Sequence, residues 1–403
     1  MSLVPARPVR SPATRRAMRG MTLIELMVAV LISLILTLAV FTLIVNFEGR
    51  RRTLASTTDL DRAAALAMYQ LERWVRSAGT GFAASHDYAY GCTLYAAKSD
   101  QQLLPVKQAL AAPFAGVDPG SAGVFRLAPV LVLPGQTTPG ASGKASDVLV
   151  LMSGGAGSGD IAARFSSAAA EKQLNLVTAL PFNASDLVLL ADTQPGAGGG
   201  TSPCLLTQAG SGFGGGAATT MPLGGDWYAP TVGTVSVQAY SDSAVALNLG
   251  NVGKRQVPEF QLVGVGDANT LFSYDLLQAA DQPLQERAQG VFELHALYGV
   301  DTDDDGKVDD WVSPSGSAWS VAALSAGTSA AADQLKRIKA LRIGLIMRTS
   351  LPERDLVSPE KLQLFTDVNK GALTFPRALS DAERHYRYRV IEATVPLRNN
   401  LLL

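Results

Sequence analysis

The chain has 403 residues, 47% of them hydrophobic and 17% charged, with 34 Lys and Arg against 35 Asp and Glu for a net charge of −1. Its length fits two or three domains of roughly 150 residues each, or one large β-rich domain. The charge lies below the roughly 25% usual in soluble domains, and 38 glycines and 21 prolines imply many loops. A nearly neutral chain argues against a general nucleic-acid binder. Two cysteines exclude a disulfide-dense scaffold and an all-cysteine zinc site. His86, His295 and His385 are too far apart in sequence to suggest a zinc or iron enzyme.

The first twenty residues carry Arg7, Arg10, Arg15, Arg16 and Arg19 and no acid. From Leu26 to Phe47 there is no charged residue at all. At 1.5 Å rise per residue this stretch makes about 33 Å of helix, enough to cross a hydrocarbon layer of about 30 Å. The arginines before it place the amino terminus in the cytoplasm and everything after Glu48 beyond the inner membrane. An ordinary secretory signal has a shorter apolar region and a small-residue cleavage site after it. Here the small residue, Gly20, comes before the run, which leaves a plain single-span anchor or a differently processed one. Glu25, at the mouth of the apolar run, points to the second. A carboxylate entering a bilayer is costly and usually has a partner. Cleavage after Gly20 would create one, the α-ammonium of Met21, on the same chain or a neighbour, and apolar helices could then pack in a staggered bundle.

The order Gly20-Met21-Thr22-Leu23-Ile24-Glu25-Leu26 resembles the class III signal of type IV pilins and type II secretion pseudopilins. In that family a basic leader ends in Gly, the mature chain opens on an apolar residue, usually Phe, and Glu is its fifth residue. Met21 departs from the usual Phe. The resemblance implies prepilin-peptidase cleavage between Gly20 and Met21, N-methylation of Met21 and a role for Glu25 in assembly.

Beyond Glu48 the chain stays compatible with a helix for about thirty residues. Leu54, Ala64, Met68, Leu71 and Val75 recur at near-helical spacing, and Gly79-Thr80-Gly81 is a plausible stop. This predicts one helix of about 55 residues, apolar all round in its first half and amphipathic in its second, with the second half packed on a globular head. From Gly81 short apolar runs alternate with Gly, Pro, Ser and Asn clusters, the texture of strands and loops. The predicted strands are Asp147–Met152, Asp186–Ala191, Thr234–Tyr240, Leu271–Leu276, Phe292–Val300, Ile338–Arg348 and Tyr386–Leu397. Leu341, Ile343, Leu345 and Met347 alternate with Arg342, Gly344 and Arg348, predicting one buried and one wet face. Gly154–Gly159 and Gly196–Gly216 read as surface loops. Three head segments resemble the PilW minor pilins: Ala340–Leu345, Tyr298–Asp303, and the closing run from Tyr388 to Asn399.

Within Asp301–Asp310 the acids fall where an EF-hand-type loop places its Ca²⁺ ligands. Asp301, Asp303 and Asp305 would point inward, Gly306 would make the sharp turn, the Lys307 carbonyl would be a ligand, and Asp309 could ligate directly or through water. Val312 stands where the bidentate Glu belongs, so Asp310 would complete the shell, in a loop between strands. The alternative is a solvated acidic turn. Cys92 and Cys204 would lie in a compartment where disulfides persist, either bonded or as two thiols. Catalytic patterns fail: Gly143-Lys144 lacks the rest of a phosphate-binding loop, and no H-E-x-x-H or G-x-S-x-G motif occurs. His295, between apolar neighbours, fits a core histidine. Arg384, Arg387 and Arg389, interleaved with Tyr386 and Tyr388, fit a wet strand face better than a nucleic-acid contact.

The expected fold class is α+β, a long N-terminal helix on a β-rich pilin-like head. Its parts would be a leader (1–20), a membrane or filament-core helix (21–47), an amphipathic continuation (48–80) and a periplasmic head (81–403). The resemblance implies a non-enzymatic minor pilin of the complex that initiates or caps a type IV pilus, first in the inner membrane and then at the cell surface. Its implied partners are prepilin peptidase, the major pilin, other minor pilins and a tip adhesin, and the aspartate spacing adds Ca²⁺ as an expected structural ion. The alternatives are a J-type minor pseudopilin of a type II secretion system and a membrane-anchored periplasmic binding module.

Overall fold

The computed structural model describes residues 20–121, 123–136, 146–155, 161–196, 199–279, 282–401 and 403. The basic segment before Gly20, the Gly143-Lys144 pair and most of Gly154–Gly159 lie outside them. By its contacts the chain divides into Met1–Ala55 and Ser56–Leu403.

A single helix runs from Leu23 to Ser77, 55 residues, and the segment Leu23–Ile44 is long and apolar enough to span a membrane. Its described side chains there are exposed around the whole circumference, as a lipid-facing or helix-facing rod requires. Polar atoms in the span are bonded within the helix: Ser33 Oγ donates to the Val30 carbonyl (2.8 Å), Thr37 Oγ1 to Ser33 (2.7 Å) and Thr42 Oγ1 to Ala39 (2.8 Å).

In the second unit the helix turns amphipathic. Leu60, Ala64, Ala67, Met68, Leu71, Trp74, Val75 and Ala78 form one buried stripe at 3.6-residue spacing. Leu54, expected in that stripe, is instead 67% exposed. The helix stops where Gly79 turns left-handed (φ +85°), a conformation that favours glycine. Its last carbonyls are capped from the far end of the chain, Asn399 Nδ2 donating to Ala78 O (2.8 Å) and Ser77 O (3.4 Å).

Among the described residues the head holds three larger sheets. The first orders its strands Gln101–Leu104, Leu94–Lys98, Cys204–Gln208, Asp186–Asp192, Ala244–Asn251 and Ala163–Arg164. The second runs Leu284–Gln289, Thr270–Asp275, Glu259–Gly266, Ser146–Ser153 and Val130–Gln136. The third runs Asp310–Val312, Val291–Val300, Ile338–Arg348 and Tyr388–Pro396, every pair antiparallel. The helical stripe shares one hydrophobic core with all three. The first sheet is buried on both faces: Leu187, Leu189 and Ala191 enter that core, while Val188 and Leu190 enter a second one with Phe165, Phe182 and Met221.

Six of the seven predicted strands form, with ends shifted by at most two residues. Thr234–Tyr240 does not: only Val235–Ser236 is strand, and Val237–Ala239 coils into a 3₁₀ turn. Gly196–Gly216 is not all loop, since Cys204–Gln208 is a fully buried strand inside it. The face of Ile338–Arg348 expected to be wet is covered. Ile346 packs there with Phe292, Leu364 and Phe365, beneath the hairpin Lys361–Leu364/Phe375–Ala378.

Candidate functional site

Three sites follow from these elements: the mouth of the apolar helix, the aspartate hairpin and a buried charge cluster. At the first, Thr22 donates its amide and its hydroxyl to Glu25 Oε2, both at 3.0 Å, and the Glu25 amide donates back to Thr22 Oγ1 at 3.3 Å. This is a reciprocal helix cap of the T-x-x-E kind, and it fixes the carboxylate in the first turn, where the helix dipole favours negative charge. Glu25 shares a helix face with Met21, Ile24, Val28, Ala29 and Ile32. The partnership of Thr22 with Glu25 was legible in the sequence as that four-residue spacing but was not drawn from it.

The second site closes the hairpin between Val291–Val300 and Asp310–Val312. Val300 pairs with Asp310, and the Asp309 amide donates to the Val300 carbonyl at 2.9 Å. Asp301 and Asp309, the first and last residues of the loop, therefore face one another. One carboxylate oxygen each from Asp301, Asp303 and Asp309 lie within 4.8 Å of one another. Gly306 makes the turn at φ +83° and donates its amide to Asp301 Oδ2 at 2.8 Å. Thr302 gives its amide (2.7 Å) and hydroxyl (2.9 Å) to Asp309 Oδ2, which holds the Asp309 carboxyl below the usual range.

Two other expected ligands, Asp305 and Asp310, lie outside this group of three. Asp305 accepts the Lys307 amide at 2.8 Å and pairs with the Lys307 ammonium, which lowers its carboxyl pKa. Asp310 Oδ1 accepts from Asn369 Nδ2 at 2.8 Å and from the Trp311 amide at 2.8 Å. The cause is the hairpin: residue 310 already belongs to a strand, so the EF-hand spacing does not translate into EF-hand geometry.

Cys92 and Cys204 are bonded, with Cα atoms 5.6 Å apart and both residues fully buried. The bridge joins the start of Leu94–Lys98 to its parallel neighbour, in which Leu94 pairs with Cys204.

The third site was only partly foreseen. His295 is a buried core residue, but it sits between two carboxylates, Nδ1 at 3.5 Å from Asp147 and Nε2 at 3.2 Å from Glu293. Glu293 also pairs with Arg377, which reaches Glu383 at 2.8 Å. All five residues are at most 7% exposed. Burial alone would lower the His295 pKa; the hydrogen bonds and charges of Asp147 and Glu293 outweigh it and raise it to about 9. Asp147 is further held by the Gly135 amide (3.1 Å) and the Ala296 amide (3.0 Å). Of the three arginines expected on one strand face only Arg389 lies in a strand, since Arg384 ends the short helix Asp381–Arg384 and Arg387 precedes the strand. Each is paired: Arg387 with Glu353, Arg389 with Asp61 on the helix, and Arg384 with Asp381. Such half-exposed pairs contribute little stability.

Two family models match the chain. Residues 262–399 match the one described as Type IV Pilus-assembly protein W, and residues 15–41 match the one described as Prokaryotic N-terminal methylation motif. Among curated proteins and among solved structures none matches. The first match spans the whole third sheet and the aspartate hairpin, and the second spans Gly20, Met21 and Glu25. The chain is thus pilin-like and related to type IV pilus assembly.

Proposed function

We propose that this type IV pilus-related minor pilin is a subunit of the complex that initiates or caps the pilus, and that its work is assembly rather than turnover. The protein enters the inner membrane with its basic leader in the cytoplasm and its head in the periplasm. Prepilin peptidase then cuts between Gly20 and Met21, and Met21 is N-methylated. Lateral packing with the major pilin and other minor pilins follows, with a tip adhesin as a further partner. The observation that carries this is the position of Glu25, held by Thr22 in the first helical turn, one turn from the Gly20-Met21 junction, on a rod whose apolar side chains are exposed all round. In a bundle of such rods the carboxylate meets the new amino terminus of a neighbour away from water.

Glu25→Ala is expected to leave leader removal intact and to lower the amount of this protein in sheared pili about tenfold or more, since it would leave a neighbour's amino terminus without its partner in the water-shielded bundle. Quantitative immunoblotting of the pilus and membrane fractions reads this. Unchanged incorporation would contradict the proposal. Loss of secretion with intact twitching motility would favour the J-type pseudopilin alternative.

A further inference from the structure

We infer that Asp301, Asp303 and Asp309 form a Ca²⁺ site that locks the hairpin of the third sheet, with a ligand set different from that of an EF-hand. Two independent observations carry this. First, the three carboxylates converge on one point, one oxygen from each lying within 4.8 Å of the others. Several protein carboxylates around one point suit Ca²⁺, which takes six to eight oxygen ligands, whereas Mg²⁺ gives up its waters reluctantly and is seldom held by a cage of protein ligands. Second, Asp301 is completely buried, and its Oδ1 has no hydrogen-bond partner among the described residues. Its Oδ2 is occupied by the Gly306 amide at 2.8 Å, with Lys339 Nζ at 3.7 Å. A buried anionic oxygen without a donor is a destabilising feature that a cation removes.

Charge agrees with this. Asp304 is paired with Arg337 and Asp305 with Lys307, so neither adds charge to the cluster. Lys339 offsets one of the three converging carboxylates, leaving two negative charges among them, the complement of one divalent ion. The loop is also shaped before any ion arrives: Thr302 fixes Asp309, the Asp305 amide reaches Asp303 Oδ1 at 3.3 Å, and Arg337 Nη1 holds the Thr302 carbonyl at 3.0 Å. The effect would reach beyond the hairpin. Lys339 Nζ donates to the Asn400 carbonyl (2.9 Å), the Asn400 side chain accepts from Tyr90 Oη (2.6 Å), and neighbouring Asn399 caps the long helix. An ion that fixes Asp301 therefore supports the polar chain joining the third sheet to the end of that helix. The site rests on the head's own geometry and stands or falls separately from the assembly proposal.

Calorimetric titration of the full-length, detergent-solubilised, EDTA-treated protein with CaCl₂ tests it, with MgCl₂ in parallel. Expected are one Ca²⁺ per chain, a melting temperature several degrees higher with Ca²⁺, and binding of Mg²⁺ about tenfold weaker. Asp303→Asn, at an exposed position, is expected to weaken Ca²⁺ binding about tenfold or more while the circular dichroism spectrum stays that of the parent; Asp305→Asn is expected to bind like the parent. No heat of binding with the parent protein, equal binding by Asp303→Asn, or an equal loss in Asp305→Asn would each overturn the assignment.

Discussion

Unfolding of a Cys92→Ala/Cys204→Ala double variant is expected about 4–5 kcal/mol below the parent, close to the limit for a bridge closing a loop of this length in the chain-entropy model. The two cysteines are 112 residues apart in sequence. Between them lie the strands Val130–Gln136 and Ser146–Ser153 of the second sheet and Asp186–Asp192 of the first, so without the bond the unfolded chain regains the freedom of that whole segment. Both sulfurs sit in the common core, and the bond fixes the sheet's parallel pairing, Leu94 with Cys204 and Tyr95 with Leu205. Parallel pairs are slightly less stable per residue than antiparallel ones. In a scan of the full-length protein the melting temperature should fall by about 6 °C for a unit of this size. Melting within a degree of the parent would show that the surrounding sheet holds this edge without the bridge.

The second large effect is expected at Arg377. A buried ion pair is weak evidence of stability when intact, but losing one partner leaves an uncompensated charge. Arg377→Ala would leave Glu293 and Glu383, which are 2% and 7% exposed, with only His295 and the Ser380 cap as partners, and is expected to cost about 3–5 kcal/mol in urea unfolding. An effect under about 1 kcal/mol would mean that water or a compensating proton reaches the cluster.

The same cluster sets a pH dependence. His295 faces Asp147 across the sheet interface and Glu293 on its own strand, with Arg377 bound behind Glu293 and the Phe375 ring 3.9 Å away. Its pKa is raised from 6.5 to about 9. A raised value means that the folded state holds the proton more tightly than the unfolded chain. The stabilisation is therefore complete below pH 6.5 and is lost as pH climbs through about 9. The span corresponds to about 3 kcal/mol. Urea midpoints measured from pH 6 to 10 should decline in the parent and decline less in His295→Gln; parallel curves would contradict the assignment.

What could be read from the sequence divides along physical lines. The long helix was legible because an uncharged 22-residue run and a 3.6-residue repeat are local patterns. The Gly79 stop and Glu25 were legible for the same reason. Strands were legible where apolar residues alternate along a run, as in Ile338–Arg348, whose bounds were read without error. Cys204–Gln208 was hidden because five strand residues sit among glycines, and only a neighbouring strand on either side makes them a ladder. The covered face of Ile338–Arg348 depends on Leu364 and Phe365, supplied by a hairpin later in the chain. The charge cluster joins residues 147, 293, 377 and 383, a proximity that no periodicity encodes. The aspartate run shows both sides. Spacing located the loop and three of its converging acids, but Lys307 and Asn369 diverted Asp305 and Asp310.

The account as a whole turns on processing at the mouth of the helix, because Glu25 gains its proposed partner only when Met21 becomes an amino terminus. Intact-mass and N-terminal fragment spectrometry of the protein purified from pili or inner membrane tests this most directly. The account predicts a chain beginning at Met21 and heavier by one N-methyl group. A mature protein still beginning at Met1, or cut anywhere other than between Gly20 and Met21, would contradict it.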